Sequence, residues 1–321
     1  MDVWLTRNEV LALPASGPAF SAVKATADRS DWGLANVRDS VYRHNVNCLA
    51  GALMAARVGG AYKAKVEANL RKLVGTEVGP KMGGQVPVLA ISRKMGTYTI
   101  AADLIGFREP AWVAWLSALR TKPLQDSAQF GGSIVGCHEK RPSNFGTHSG
   151  ASRAAMDVYL GDTVDLARCA QVFKGWLGDR SSYASFKYGG LWWQADPSKP
   201  VGINPVGAMK LGHSIDGVLP DDQRKSGGFK WPPPKENYVW EALQGATVEA
   251  QILTRAGFPA WEWSDRAIIR AFTWLYKVCL YPPVGDDTWQ PWLVNKATGS
   301  TFPKTAARSG KNMGFTDWTH A

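Results

Sequence analysis

The sequence predicts an all-α chain: an incomplete α/α toroid, a barrel of antiparallel helix pairs with long loops and a short β-hairpin. Three observations predict it. Apolar residues recur at helical spacing in segment after segment. Those segments end on Gly59, Gly106, Gly161 and Gly257, and a turn and a second helical segment follow each glycine. Alternating strand patterns are sparse. Helix pairs that each bury one face must stack to complete a core, and a closed ring with ligand loops at one end satisfies that need.

The first pair begins within residues 39–58, where Val46, Leu49, Leu53 and Ala56 share a stripe. Gly59 ends it, and residues 61–74 resume as a more charged helix. The second pair joins 97–106 to 109–119, the third 154–161 to 162–177, and the fourth 248–257 to 261–278. Residues 181–234 are rich in Gly, Pro and Trp, which suits a hairpin laid over the end of the ring. From about residue 282 the pattern is irregular, but Trp289, Trp292 and Trp318 mark it as a packed C-terminal extension. No composition shift divides residues 1–321, so a single catalytic domain is expected.

Composition narrows the partners. The 321 residues are 45% hydrophobic, and no apolar run reaches the ~18 residues of a membrane span. The N-terminus shows no leader pattern. Secreted or periplasmic placement, with a leader already removed, is the expectation, and a cytoplasmic protein is the alternative. The net charge of +10 favours an acidic partner. That partner could be nucleic acid, anionic lipid or an acidic polysaccharide; the basic residues are dispersed with no run like a nucleic-acid-binding tail, which weakens nucleic acid. Neither a membrane partner nor oligomerisation beyond a monomer is expected. Cys48, Cys137, Cys169 and Cys279 form no CxxC pair, so buried thiols are expected and no metal site; one long-range bond, such as Cys48 to Cys137, is the alternative. Fifteen tryptophans are an excess; core packing is expected to account for more than half, and the flat apolar faces of the rest suit stacking of sugar rings or nucleobases.

The densest group of chemistry-bearing residues runs from Arg141 to Asp162. A loop holding Arg141, Asn144 and Thr147 delivers His148 to the start of a helix, where free N–H groups and the dipole favour an anion or carbonyl. His148 shares a stripe with Ala151, Ala155 and Val158, the inward face. His44 and Asn45, inside the first long helix, could reach the ring centre from the opposite wall. Arg224 precedes Tyr238, which sits in the first turn of a helix that opens near Lys235. A phenol near cations can serve as a base, because positive charge favours phenolate. Tyr183, Lys187 and Tyr188 combine phenols and a cation in a sugar-binding style of loop, with Trp192 and His213 as further contacts.

These residues resemble the alginate lyase family of polysaccharide lyases. The resemblance lies in NFGTHSGASRAA, YLGD, DGVLPDDQR, the tyrosine-bearing helix, DSVYRHNVNCLAGALMAARVG and RKMGTYTIAADLIGF, and it spans roughly residues 35–300. It implies an α/α toroid that cleaves uronate polymers by β-elimination without a nucleotide or other cofactor. In that family an asparagine stands directly before the histidine; here Thr147 does, and Asn144 is the nearest asparagine. The resemblance assigns His148, Tyr238, Asn144 and Arg224 to catalysis, with Tyr188 a rival for the tyrosine role. Arg141, His44, Asn45, Tyr183, Lys187, Tyr188, Trp192 and His213 are expected to bind substrate. A glycoside hydrolase using a pair among Asp216, Asp221, Asp222, Asp286 and Asp287 is the enzymatic alternative, and a noncatalytic acidic-glycan binder is the other.

Overall fold

A computed structural model describes residues 2–321. The chain is all-α. It opens with two short helices, α1 (Arg7–Ala12) and α2 (Pro18–Asp28), the first closed by a capping box between Thr6 and Glu9. Then come the pairs α3 (His44–Val58) and α4 (Tyr62–Arg71), and α5 (Pro87–Leu104) and α6 (Pro110–Leu119). The short α7 (Ile134–Lys140) leads into α8 (Asn144–Leu160) and α9 (Thr163–Trp176). A hairpin of β1 (Met209–Lys210) and β2 (His213–Ser214) pairs Met209 with Ser214 in antiparallel register. After α10 (Pro220–Gln223) come α11 (Asn237–Arg255), α12 (Trp263–Lys277), α13 (Gln290–Thr298) and α14 (Thr316–Thr319).

The four glycines expected to end helices do so, each at positive φ, where glycine avoids the steric cost of a Cβ. Two boundaries differ from the sequence reading. Helix α8 starts at Asn144, so His148 stands in its second turn and only residues 141–143 remain as a loop. Residues 39–43 lie outside α3, which makes His44 its first residue. The extension after residue 282 is also less irregular than expected, because it carries α13 and α14.

Helices α3, α5, α8 and α11 form an inner row in which each packs on the next. Contacts run on from α11 to α13, α14 and α2 and return to α3. Burial covers nearly the whole of α5, α8 and α11, not one stripe. Small residues allow this. The Ser152 hydroxyl donates to the Ser92 carbonyl at 2.6 Å and accepts from the Gly96 N–H at 2.8 Å, so α5 and α8 meet almost backbone to backbone. Tryptophans fill the spaces between layers: Trp4, Trp112, Trp193, Trp240 and Trp289 are fully buried, and only Trp192 and Trp231 are exposed among the described residues. All four cysteines are free and buried, with no Cys48–Cys137 bond.

Candidate functional site

Helix α8 brings Asn144 and His148 onto one face, one turn apart. That face meets α11 at Gly245, where a Cβ would stand 2.4 Å from the Thr147 carbonyl carbon and 2.5 Å from the His148 nitrogen. Only glycine lets the two helices approach this closely. His148 is fully buried; the Glu241 main-chain carbonyl stands near its ring, but neither ring nitrogen makes a well-formed hydrogen bond. Burial holds its pKa well below the usual imidazole range, and the charges of Arg93 and Lys311 push the same way. The ring is therefore neutral at physiological pH, with one N–H to give and one lone pair to accept.

Asn144 is held from the other side. Its N–H donates to the Asp222 carboxylate at 3.3 Å, and its Oδ1 accepts from Lys225 Nζ at 3.1 Å. Its Nδ2 is buried without an acceptor. Lys225 also donates to Asp222 at 2.7 Å and lies 3.8 Å from the centre of the Tyr238 ring. Burial raises the Asp222 carboxyl to about 6, with Lys225 opposing. Tyr238, in the first turn of α11, is 45% exposed. One lysine thus links the α8 asparagine to an open phenol.

Beside this group lies a cleft of about 60 Å³ lined by Arg43, Arg93, Lys94 and Lys311, together with Asp39 and Tyr42. Arg93 and Lys311 both bind Glu241, and Arg43 binds Asp286 at 3.1 Å. Lys94 is buried against Asp39 at 3.2 Å. The two cations that act on His148 therefore also face the cleft.

The structure brings together His148, Asn144 and Tyr238 through their neighbours, but not Arg224. That guanidinium turns onto Asp221, at 2.9 Å, and packs flat against Gly189. Asp221 also accepts the Gly189 N–H at 2.8 Å, so Arg224 pins the 188–190 loop. The cation at Asn144 is its neighbour, Lys225, since successive residues of the 3₁₀ turn after α10 project in different directions. Tyr188, the rival tyrosine, is driven further toward its neutral form by burial and by Asp221.

Other expected contacts resolve individually. His44 is a core histidine: Nδ1 meets the Tyr98 hydroxyl at 2.9 Å and Nε2 meets Asn69 Oδ1 at 3.0 Å, so the ring turns to the outer α4. Asn45 does face inward, donating to the Lys311 carbonyl at 2.9 Å. Tyr183 is buried and spends its hydroxyl on the Glu139 carbonyl at 2.5 Å. Arg141 lies against the Phe130 ring at 5.5 Å. Lys187 is exposed, anchored by its main chain to the Lys140 carbonyl. Trp192 is exposed over Gly190 and donates to the Gly227 carbonyl at 2.6 Å; His213 stacks on Trp231 with ring centres 4.3 Å apart.

Among the hydrolase candidates, Asp221, Asp222 and Asp286 are each held by a cation and Asp216 by Arg270. Asp287 is buried against Gln244 and Gln290. Among the described residues, one group could hold a metal ion: His138, Cys169 and Glu249, all buried, with His138 Nε2 3.2 Å from Glu249 Oε1 and Cys169 Sγ 3.5 Å from the same oxygen. It lies on α7, α9 and α11, and Arg153 already stands 3.5 Å from His138 Nδ1.

Lys225, Arg93, Lys311 and Glu241 were missed in the sequence. The RKMG step was one available signal, since a charged pair inside an otherwise weakly polar helix has no solvent face to serve. No family model matches the chain, and no curated protein matches it.

Proposed function

We propose that the chain is a polysaccharide lyase that cleaves a uronate-containing acidic polysaccharide, such as polymannuronate or a glucuronan, by β-elimination. The observation that carries this reading is the buried, neutral His148, whose ring nitrogens make no well-formed hydrogen bond, one turn from the unpaired Nδ2 of Asn144. Removing the C5 proton of a uronate moves negative charge onto its carboxylate. Donors fixed in advance for that charge lower the barrier, and fixed donors in a dry site are worth more than in water. Asn144 and His148 supply such donors. Lys225, already on Asn144, adds positive charge. Tyr238, open to solvent beside that lysine, takes the C5 proton and returns a proton to the departing glycosidic oxygen. The exposed Trp192 offers a stacking face near the same turn. On this reading the helix pairs are an incomplete α/α toroid, the partner is the polymer itself, and the protein works as a secreted or periplasmic monomer.

The test is a panel of polymannuronate, polyguluronate, glucuronan and hyaluronan, followed by the ultraviolet absorbance of unsaturated uronate ends. Such ends should form with at least one polymer. His148→Ala and Tyr238→Phe should each abolish them while the helical circular dichroism is kept. Reducing ends without unsaturation would mean a hydrolase, and binding without cleavage a glycan-binding protein; either outcome overturns the proposal.

A further inference from the structure

Arg93 is a buried cation with more donors than acceptors. It is 5% exposed, in the fully buried stretch of α5. Its Nη2 binds Glu241, but Nε and Nη1 meet no acceptor in the protein. An unsatisfied buried donor costs about 1–3 kcal/mol, and more when charged. Arg93 nevertheless lines the cleft, together with Arg43, Lys94 and Lys311. Around it, those four cations face the three carboxylates Asp39, Glu241 and Asp286. The cleft, of about 60 Å³, has room for a small anionic group such as a carboxylate.

Lys311 reaches this cleft on a strap that belongs to none of the inner helices. Residues 309–312 are tied to three of the inner helices or their ends. Arg43 donates to the Ser309 carbonyl and Asn45 to the Lys311 carbonyl. Thr97 donates to the Asn312 carbonyl, while Asn312 Nδ2 donates to the Gln244 carbonyl at 2.9 Å. The strap therefore closes over the cleft and places its lysine against Glu241.

We propose that Arg93 and Lys311 form a second anion site, which takes the carboxylate of a uronate neighbouring the one at His148 and is closed by the C-terminal strap. That the anion is a uronate rests on the lyase reading; that the site takes an anion does not. The incoming carboxylate accepts from the free Arg93 donors and shares Lys311 with Glu241. It also opposes the Arg93 and Lys311 charges, which act on His148 in addition to the larger effect of burial.

Sodium glucuronate is the probe and glucose the neutral control, with thermal unfolding and limited trypsinolysis at Lys304 and Arg308 as readouts. Glucuronate should raise the unfolding temperature and slow strap cleavage saturably, and glucose should do neither. Lys311→Met and the milder Arg93→Lys should each weaken the glucuronate effect about tenfold, the worth of one charge-assisted hydrogen bond. Lys311 is partly exposed, so its variant tests the site even where an Arg93 variant unfolds. Wild-type binding in the Lys311 variant, or equal effects of glucuronate and glucose, overturns the proposal. Glucuronate binding through these residues without unsaturated product removes the lyase reading and leaves the site. Product formation with binding unchanged in the variants does the reverse.

Discussion

At the scale of single residues, the site is decided by which cation touches Asn144. Lys225 does, and its neighbour Arg224 is spent on Asp221. Lys225→Met should therefore lower kcat/KM on the best uronate polymer by roughly a hundredfold, the usual effect of losing one fixed charge-stabilising donor. Arg224→Met should act through the 188–190 loop and fall mainly on KM; a larger kcat loss in Arg224→Met than in Lys225→Met would reverse the assignment. Buried Asp287 supplies a pH test. Its carboxyl is raised from 3.8 to about 7, chiefly by burial. A raised carboxyl stays protonated in the folded state where the unfolded chain has already ionised. Its contribution is thus full below 3.8 and lost as pH climbs to about 7, at about 1.4 kcal/mol for each pH unit. Asp287→Asn cannot ionise, so its stability relative to wild type should rise across that window and level off above it in urea titrations. A constant difference would show that Asp287 does not carry the proton. His148, Asn144 and Tyr238 were legible because unusual residue types cluster beside helix starts. Lys225 was not, since sequence does not reveal which of two adjacent cations a tight turn will aim inward.

Among elements, the α8–α11 contact governs the site. Gly245 lies on Thr147 and His148, and Gly150 lies on the Glu249 carboxylate, where a Cβ would be 2.1 Å from Oε2. Gly245→Ala should push α11 off α8 at the histidine. Overpacking of this kind costs about 1–3 kcal/mol, visible as a lower urea midpoint, and activity should fall further than stability because the donors lose their alignment. Unchanged activity in a folded variant would separate His148 from the helix contact. The helix pairs themselves were readable from apolar spacing and glycine stops. The start of α8 was misread because its first two turns, NFGTHSGA, are small and polar, which in isolation describes a loop. Tertiary burial, with Ser149 paired to Ser92 at 2.8 Å, makes them helical.

Across the whole molecule, the +10 charge would, on the proposed lyase reading, aid long-range capture of a polyanion. Raising ionic strength from low to well above physiological should therefore raise KM for a long uronate polymer several-fold while leaving kcat nearly constant. A salt-insensitive KM would assign recognition to the enclosed contacts alone. The all-α class and the packed C-terminal extension were evident in the sequence. The extension's role was not, because nothing local in GKNMG shows that it crosses the inner helices. That crossing has a consequence for how the protein comes into being. Lys311 follows every inner helix in the chain, so α3, α5, α8 and α11 are synthesised and free to pack before it leaves the ribosome. The strap is drawn in after them, with Trp318 donating to the Pro14 carbonyl at 2.9 Å and tying the segment beyond the strap to the turn between α1 and α2. A nascent chain, or one clipped near Arg308, would hold its inner helices and lack a finished cleft. On the proposed reading, the Arg93 and Lys311 anion site would be complete only once the strap has crossed the inner helices.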